Sequence, residues 1–397
     1  MHIYEDAAAI AWPSGFHFAA GRCGLKPQAP DLGLVWSDAP ASCAALFTTN
    51  HVQAAPVRLS RLHLAARGGR VRALVVNSGN ANCATGPTGE RAALATAQAA
   101  AHALGCAAEE VLVCSTGVIG VPLDARLITR ALPEWARRED GPLEVARAIM
   151  TTDTRMKVAG AGFRDGARGY RLAGMAKGSG MIHPRMATML AFVFTDAPVS
   201  PASLRSHLRA AAAESFNRIS VDGDTSTNDT LAAWAAGKGA SLKPAGQRAF
   251  AQALTAVCQS LALQIVRDGE GARRLVRITV NGARTLAEAD RAARAIANSP
   301  LVKTALAGAD PNWGRVLAAA GYSGARFDPD RAEVRFNRLL VFKAGRALPF
   351  DEAAAKRDLD RPEIEVRVDL KAGRSQSFMW TCDFTEGYIK INASYRT

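Results

Sequence analysis

Short unbroken apolar runs alternate with stretches that repeat every three to four residues along this chain of 397 residues. Runs at 71–76 and 111–113 have the length of strands buried on both faces, and the alanine-rich stretch between them, from about 90 to 103, carries a helical repeat. Each run passes directly into a glycine-bearing loop, Ser78-Gly79-Asn80 and Thr116-Gly117, and loops at strand ends are where α/β proteins place binding groups. The apolar run 189–194 predicts another strand buried on both faces. Helices are expected over 201–213, about 245–263 and 286–296, and strands over 275–280, 333–342, 363–370 and 378–384. Near the end, 387–391 also reads as a strand. The pattern as a whole is that of an α/β protein.

A chain this long exceeds what one hydrophobic core usually serves, so two domains are expected. No low-complexity linker or internal repeat marks a boundary between them. With 48% hydrophobic residues there is material for a sizeable core. No apolar run reaches the roughly 20 residues of a membrane span, and the acidic pair Glu5-Asp6 stands where a secretory signal would be basic, so a soluble cytoplasmic protein is expected. The formal net charge of +13 raises the question of nucleic acid. The arginines are dispersed and never form a basic block with interleaved aromatics, so a basic surface that steers small anionic substrates is the better reading. Seven scattered cysteines without a Cys-x-x-Cys pair argue against disulfides and a zinc site, and the seven histidines show no ligand spacing, which leaves His183 a polar loop residue. No metal or organic cofactor is expected.

The candidate chemistry lies in Met186-Ala187-Thr188, where a small residue precedes a hydroxyl residue at the head of a strand-like run. A threonine hydroxyl is a weak nucleophile at neutral pH and needs a positioned base. Threonine at a chain terminus has one in its own α-amine, whose pKa of roughly 7.7–8.0 lies close to working pH. Such a terminus arises if the Thr188 hydroxyl attacks the Ala187 carbonyl and water opens the resulting ester. β-Branching restricts χ1 of Thr188 and so helps fix the trajectory. The expected products are an α chain, 1–187, and a β chain, 188–397.

The words around this tripeptide have an order of their own. Lys177-Gly178-Ser179-Gly180-Met181-Ile182, then Pro184 and Met186-Ala187-Thr188-Met189-Leu190, resembles the cleavage segment of the ornithine acetyltransferase family, the arginine-biosynthesis enzymes also called glutamate N-acetyltransferases. The resemblance runs almost end to end. It continues through Asn77-Ser78-Gly79-Asn80, Ser115-Thr116-Gly117, Met150-Thr151-Thr152-Asp153-Thr154, Thr227-Asn228-Asp229, Asp268-Gly269-Glu270-Gly271 and Ile391-Asn392. Arg273-Arg274 depart from it, standing where a Thr-Lys pair is usual, and so does Arg185, in place of a commonly polar neutral or acidic residue.

The resemblance implies a two-domain N-terminal-nucleophile-like fold, self-cleaved at Ala187–Thr188, with Thr188 as nucleophile. It implies an oxyanion hole made by the Thr116 hydroxyl and the Gly117 N–H. Substrate contacts carried over by the same resemblance are Thr151, Lys177, Thr188, Glu270, Asn392 and Thr397, the substrates being N-acetylornithine and glutamate in a ping-pong exchange. Two chains of each kind, α2β2, are expected to assemble. Whether acetyl-CoA is also a donor stays open. So do two rivals: an amidase or aminopeptidase that passes the acyl group to water, and a binding protein that never cuts. Two lookalikes drop out, since Asp222-Gly223-Asp224 lacks the glycine and glutamate positions of a calcium loop and Lys177-Gly178-Ser179-Gly180 is too short for a phosphate loop.

Overall fold

The computed structural model describes residues 2–183 and 189–394. The chain divides into two units, the first running to Asn217 and resuming over Asp224–Ile265, the second comprising Arg218–Gly223 and Val266–Tyr395. The mixed α/β class expected from the sequence holds in both.

Unit one is built on β1 (Ile3–Tyr4), β2 (His17–Gly21), β3 (Leu32–Phe47), β4 (Arg70–Asn77), β5 (Val111–Ser115), β6 (Lys157–Asp165), β7 (Arg168–Lys177), β8 (Leu190–Thr195) and β9 (Thr230–Ala235). These strands form one sheet in the order β1-β6-β7-β8-β9-β3-β4-β5, with β2 paired to β3. The β8–β9 and β4–β5 pairs are parallel and the rest antiparallel. β4 is buried on both faces as its apolar run predicts: Leu74 and Val76 join one core and Ala73 and Val75 the other, following the two-residue alternation of a strand. β3 changes partners midway. Its first half pairs with β2 and β4 and its second with β9, and a register shift between Trp36 and Ala41 accommodates Pro40, which could not donate to a regular ladder.

Helices α1 (Ala55–Ala66), α2 (Gly86–Leu104), α3 (Ala125–Trp135), α4 (Pro142–Ala148), α5 (Pro201–Ala213) and α6 (Pro244–Arg267) belong to this part of the chain. α1 protects the exposed edge of β5: Ser60 Oγ donates to Val113 O at 2.7 Å and accepts from Val113 N at 2.8 Å, and His63 Nδ1 lies 2.8 Å from Val111 O. α2 starts at Gly86-Pro87, four residues ahead of the expected start, because proline suits the first helical turn, and it ends on Gly105 at φ 62°. By length and composition α6 could cross a membrane. Phe250, Ala253, Leu254, Val257, Leu261 and Ile265 are buried within the protein, however, and Gln264 bonds both backbone groups of Val158 in β6, so its apolar face is that of a core helix.

Unit two has a sheet of β10 (Leu275–Ala283), β11 (Glu333–Phe336), β12 (Leu339–Lys343), β13 (Arg346–Ala347), β14 (Glu363–Asp369) and β15 (Ser375–Cys382), in the order β13-β12-β11-β14-β10-β15. Helices α7 (Leu286–Asn298), α8 (Pro300–Ala307), α9 (Trp313–Gly321), α10 (Glu352–Leu359) and α11 (Glu386–Ser394) accompany it. Two expectations are corrected. The single strand over 333–342 is a hairpin, because Asn337 adopts φ 50°, a left-handed turn conformation that asparagine tolerates. The segment 387–391 lies inside α11, where Tyr388 stacks on Phe384 with ring centroids 4.7 Å apart.

The expected bond of cleavage, Ala187–Thr188, lies outside the described residues. The strands on either side of it, β7 and β8, are antiparallel neighbours from Leu172↔Thr195 to Lys177↔Leu190. The 1–187 and 188–397 chains would therefore share one sheet.

Candidate active site

Parallel pairing of β4 and β5 brings their C-terminal loops side by side. Thr116 N donates to Asn77 O at 3.0 Å, Ser115 Oγ to Asn77 Oδ1 at 2.6 Å and Asn77 Nδ2 to Asn80 O at 2.9 Å, and Ala81 N completes the lacing on Val118 O at 3.0 Å. Gly117 sits at φ 132°, and a Cβ there would meet Gly79 C at 2.4 Å and Asn80 N at 2.5 Å. Only glycine fits so close an approach of two backbones. From the segment before β9, Asn228 Nδ2 donates to Ala81 O at 2.7 Å and Ser115 O at 2.8 Å, tying both loops to a third element.

Lys177, the last residue of β7, is buried and its Nζ donates to Thr116 Oγ1 at 3.2 Å. A hydroxyl that accepts from an ammonium keeps its own hydrogen to donate, and the ammonium polarises it in that direction. Thr116, Gly117 and Lys177, three residues proposed from the sequence, are thus brought together.

Thr151 is arranged by a carboxylate to which no role was given. Asp153 accepts from Thr151 N at 2.9 Å on one oxygen, and from Gly178 N and Lys157 Nζ, both at 2.6 Å, on the other. Asp153 and Lys157 are both fully buried side chains. Burial would raise the Asp153 pKa, but the Lys177 and Lys157 ammoniums and the Gly178 N–H overcome it and hold the group at about 2. Because the folded value lies below the unfolded one, the contribution to stability is complete above about pH 4 and is lost as pH falls towards 2. Asp153→Asn should cost on the order of 3–5 kcal/mol at neutral pH by leaving Lys157 buried without its countercharge. Denaturant unfolding of both proteins should show that gap narrowing between about pH 4 and pH 2; a gap independent of pH would remove the pair from the stability of this loop.

Lys26 is a second cation that the sequence reading missed. Its Nζ donates to Met150 O at 2.5 Å and Pro30 O at 3.2 Å. Burial draws its pKa down to about 8, with Asp31 opposing and the nearby Lys177 ammonium adding to the fall.

In unit two, Asn392 Nδ2 donates to the buried Glu270 carboxylate at 2.7 Å, so these two residues also meet. α11 reaches Glu270 because Gly271, at φ 70°, admits its N-terminus closely; a Cβ on Gly271 would lie 2.3 Å from Tyr388 N. Arg274, one of the departures from the family pattern, is buried against Asp383 and Asp360 and bonds Leu306 O at 3.0 Å, a structural anchor of this unit. Ala187, Thr188 and Thr397 lie outside the described residues, and Met189, directly after Thr188, is the nearest described position that follows it.

A family model described as the ArgJ family matches residues 17–397. The chain belongs to the ArgJ family. It is 47% identical to the arginine biosynthesis bifunctional protein ArgJ of Chlorobaculum tepidum, over 98% of this chain and 97% of that protein. With the protein of the same name from Thermus thermophilus it shares 48%, over 98% of this chain and all of that protein. Among solved structures, a chain of ArgJ from Bacillus halodurans is 39% identical and aligns over 50% of this chain and 96% of its own length, with a TM-score of 0.48. Membership bears out the resemblance drawn from the sequence words. Of the ArgJ-family words, Thr151-Thr152-Asp153 and Thr227-Asn228-Asp229 prove to contain residues that position others; their signal was visible, their partners, mostly backbone groups, were not.

Proposed function

We propose that this ArgJ-family protein is a glutamate N-acetyltransferase that activates itself by cutting Ala187–Thr188 and then moves acetyl from N-acetylornithine to glutamate. The observation that carries the proposal is the Lys177 ammonium on the Thr116 hydroxyl beside the Gly117 N–H. Acyl transfer passes through a tetrahedral oxyanion, and donors fixed in advance at that oxygen supply one of the largest catalytic terms.

In the first half-reaction the Thr188 amine takes the hydroxyl proton as Oγ1 attacks the acetyl carbonyl. Thr116 and Gly117 receive the oxyanion, the amine returns the proton to the leaving nitrogen, and ornithine departs. Glutamate then attacks the acetyl-threonine ester by the same steps in reverse. Lys177, with the Lys26 ammonium behind it, suits the α-carboxylate common to both substrates, and Glu270 held by Asn392 suits the ornithine side-chain ammonium. Thr151 and Thr397 are the remaining contacts, and an α2β2 assembly is the expected form. No step calls for a metal or organic cofactor.

Incubation with acetyl-labelled N-acetylornithine and glutamate should put the label in acetylglutamate, read by mass spectrometry. Label found only in acetate would make the protein a hydrolase, and a full-length band that neither cuts nor transfers would make it a binding protein. Replacing the donor with labelled acetyl-CoA in the same assay decides whether the threonine accepts acetyl from both.

A further inference from the structure

Asp229 sits at the head of β9, opposite the start of β8. The parallel register sets Leu190 against Thr230, and Thr230 N donates to Met189 O at 3.1 Å. One step back, Met189 N donates to Asp229 Oδ1 at 2.9 Å. The residue is 1% exposed, and its second oxygen, Oδ2, has no hydrogen-bond partner among the described residues. A buried carboxylate with a bare oxygen is costly, and the usual resolution is to keep the proton. Burial pushes the Asp229 carboxyl well above its ordinary range, against the Met189 N–H and the Lys177 ammonium of β7, the two groups that favour the charged form. A proton held by this carboxyl would sit on Oδ2, because Oδ1 is occupied by an N–H donor.

Met189 N is bonded to the Thr188 carbonyl carbon. Covalent geometry alone confines the Thr188 nitrogen to within about 4 Å of it. This carboxyl is therefore fixed one residue from the Ala187–Thr188 bond.

We propose that Asp229 is a further functional residue of this site, which positions Thr188 through the Met189 amide and supplies a proton to the Thr188 nitrogen during self-cleavage. As Thr188 Oγ1 bonds to the Ala187 carbonyl carbon and the Ala187–Thr188 C–N bond breaks, the Oδ2 proton goes to the departing nitrogen. The carboxylate so formed recovers the proton given up by Oγ1. Water then hydrolyses the ester, leaving Ala187 with a carboxylate and Thr188 with a free amine and hydroxyl. Water alone is consumed. The inference rests on the reading of Thr188 as nucleophile and adds the acid which that reading lacks.

Precursor made by cell-free synthesis allows cutting to be timed on denaturing gels for the wild type and for Asp229→Asn, Asp229→Ala and Thr188→Ala. Asparagine keeps the shape and an oxygen for the Met189 N–H, so a purely structural aspartate is rescued by it. The expected result is an Asp229→Asn protein with wild-type melting temperature and elution volume that cuts at least about 100-fold more slowly, the scale of a lost general acid. Asp229→Ala should be at least as slow. Cutting of Asp229→Asn at the wild-type rate overturns the proposal, and so does a lowered melting temperature in that variant, which assigns the carboxyl to the fold. If Thr188→Ala itself cuts at this bond, the nucleophile reading fails, whatever Asp229 does.

Discussion

Thr188→Ala is expected to leave a single uncut chain of 41.9 kDa with no measurable acetyl transfer. Two losses coincide in it. The alanine side chain cannot start the acyl shift, so the α-amine that serves as base is never released, and the acetyl group has no oxygen to rest on between substrates. Removing a nucleophile from an enzyme of this kind costs on the order of 10^4- to 10^6-fold in turnover. Edman sequencing of the wild-type C-terminal fragment should read Thr-Met-Leu-Ala-Phe, and N-acetylornithine alone should load acetyl onto that terminal threonine, visible as a mass increase of the fragment. A Thr188→Ala protein that cuts efficiently at the same bond would remove Thr188 from the mechanism.

Thr116→Val ranks second in expected effect. Valine matches threonine in shape and lacks the hydroxyl, so the loops laced around Asn77 and Gly117 keep their packing while the proposed oxyanion donor disappears. The expected loss is on the order of 100- to 1000-fold in kcat for the cut enzyme, with KM for N-acetylornithine changed far less, because the donor acts on charge that develops in the transition state. Wild-type turnover in cut Thr116→Val would give the hydroxyl a structural task, that of holding Lys177.

What could be read before folding follows from where each signal is written. β4, β5 and β8 announce themselves because strands buried on both faces are unbroken apolar runs, and α2 because its buried alanines recur at helical spacing. β6 and β7 hide behind Gly160, Gly162 and Gly174, which break the run; two of them serve close packing, since a Cβ on Gly160 would meet Ile10 at 2.8 Å and one on Gly174 the Phe192 carbonyl oxygen at 3.0 Å. β9, Thr-Leu-Ala-Ala-Trp-Ala, has the composition of a helix and becomes a strand because β3 and β8 lie on either side of it. α11 misleads in the opposite direction, its Tyr388, Ile389 and Ile391 suggesting a strand where the Gly271 loop receives a helix.

The same division applies to the site. The Thr116-Gly117 pair, Lys177 and Thr151 come from different strands and loops, so no spacing along the chain connects them and only the resemblance in sequence words could. Asp153 and Asp229 stood inside quoted words without a role, since a carboxylate that works on a backbone N–H leaves no trace in the identity of its partner.

The antiparallel neighbours β7 and β8 carry a last consequence. This sheet is assembled while its strands are still tethered, when closing a short connection carries little entropic cost. If the tether is cut as proposed, the same strands can find each other again only by collision, and regaining the sheet after unfolding becomes a second-order process set by protein concentration. The native state of an enzyme matured in that way would be a record of how it was made, reached readily once by a continuous chain and guarded afterwards by the height of its unfolding barrier.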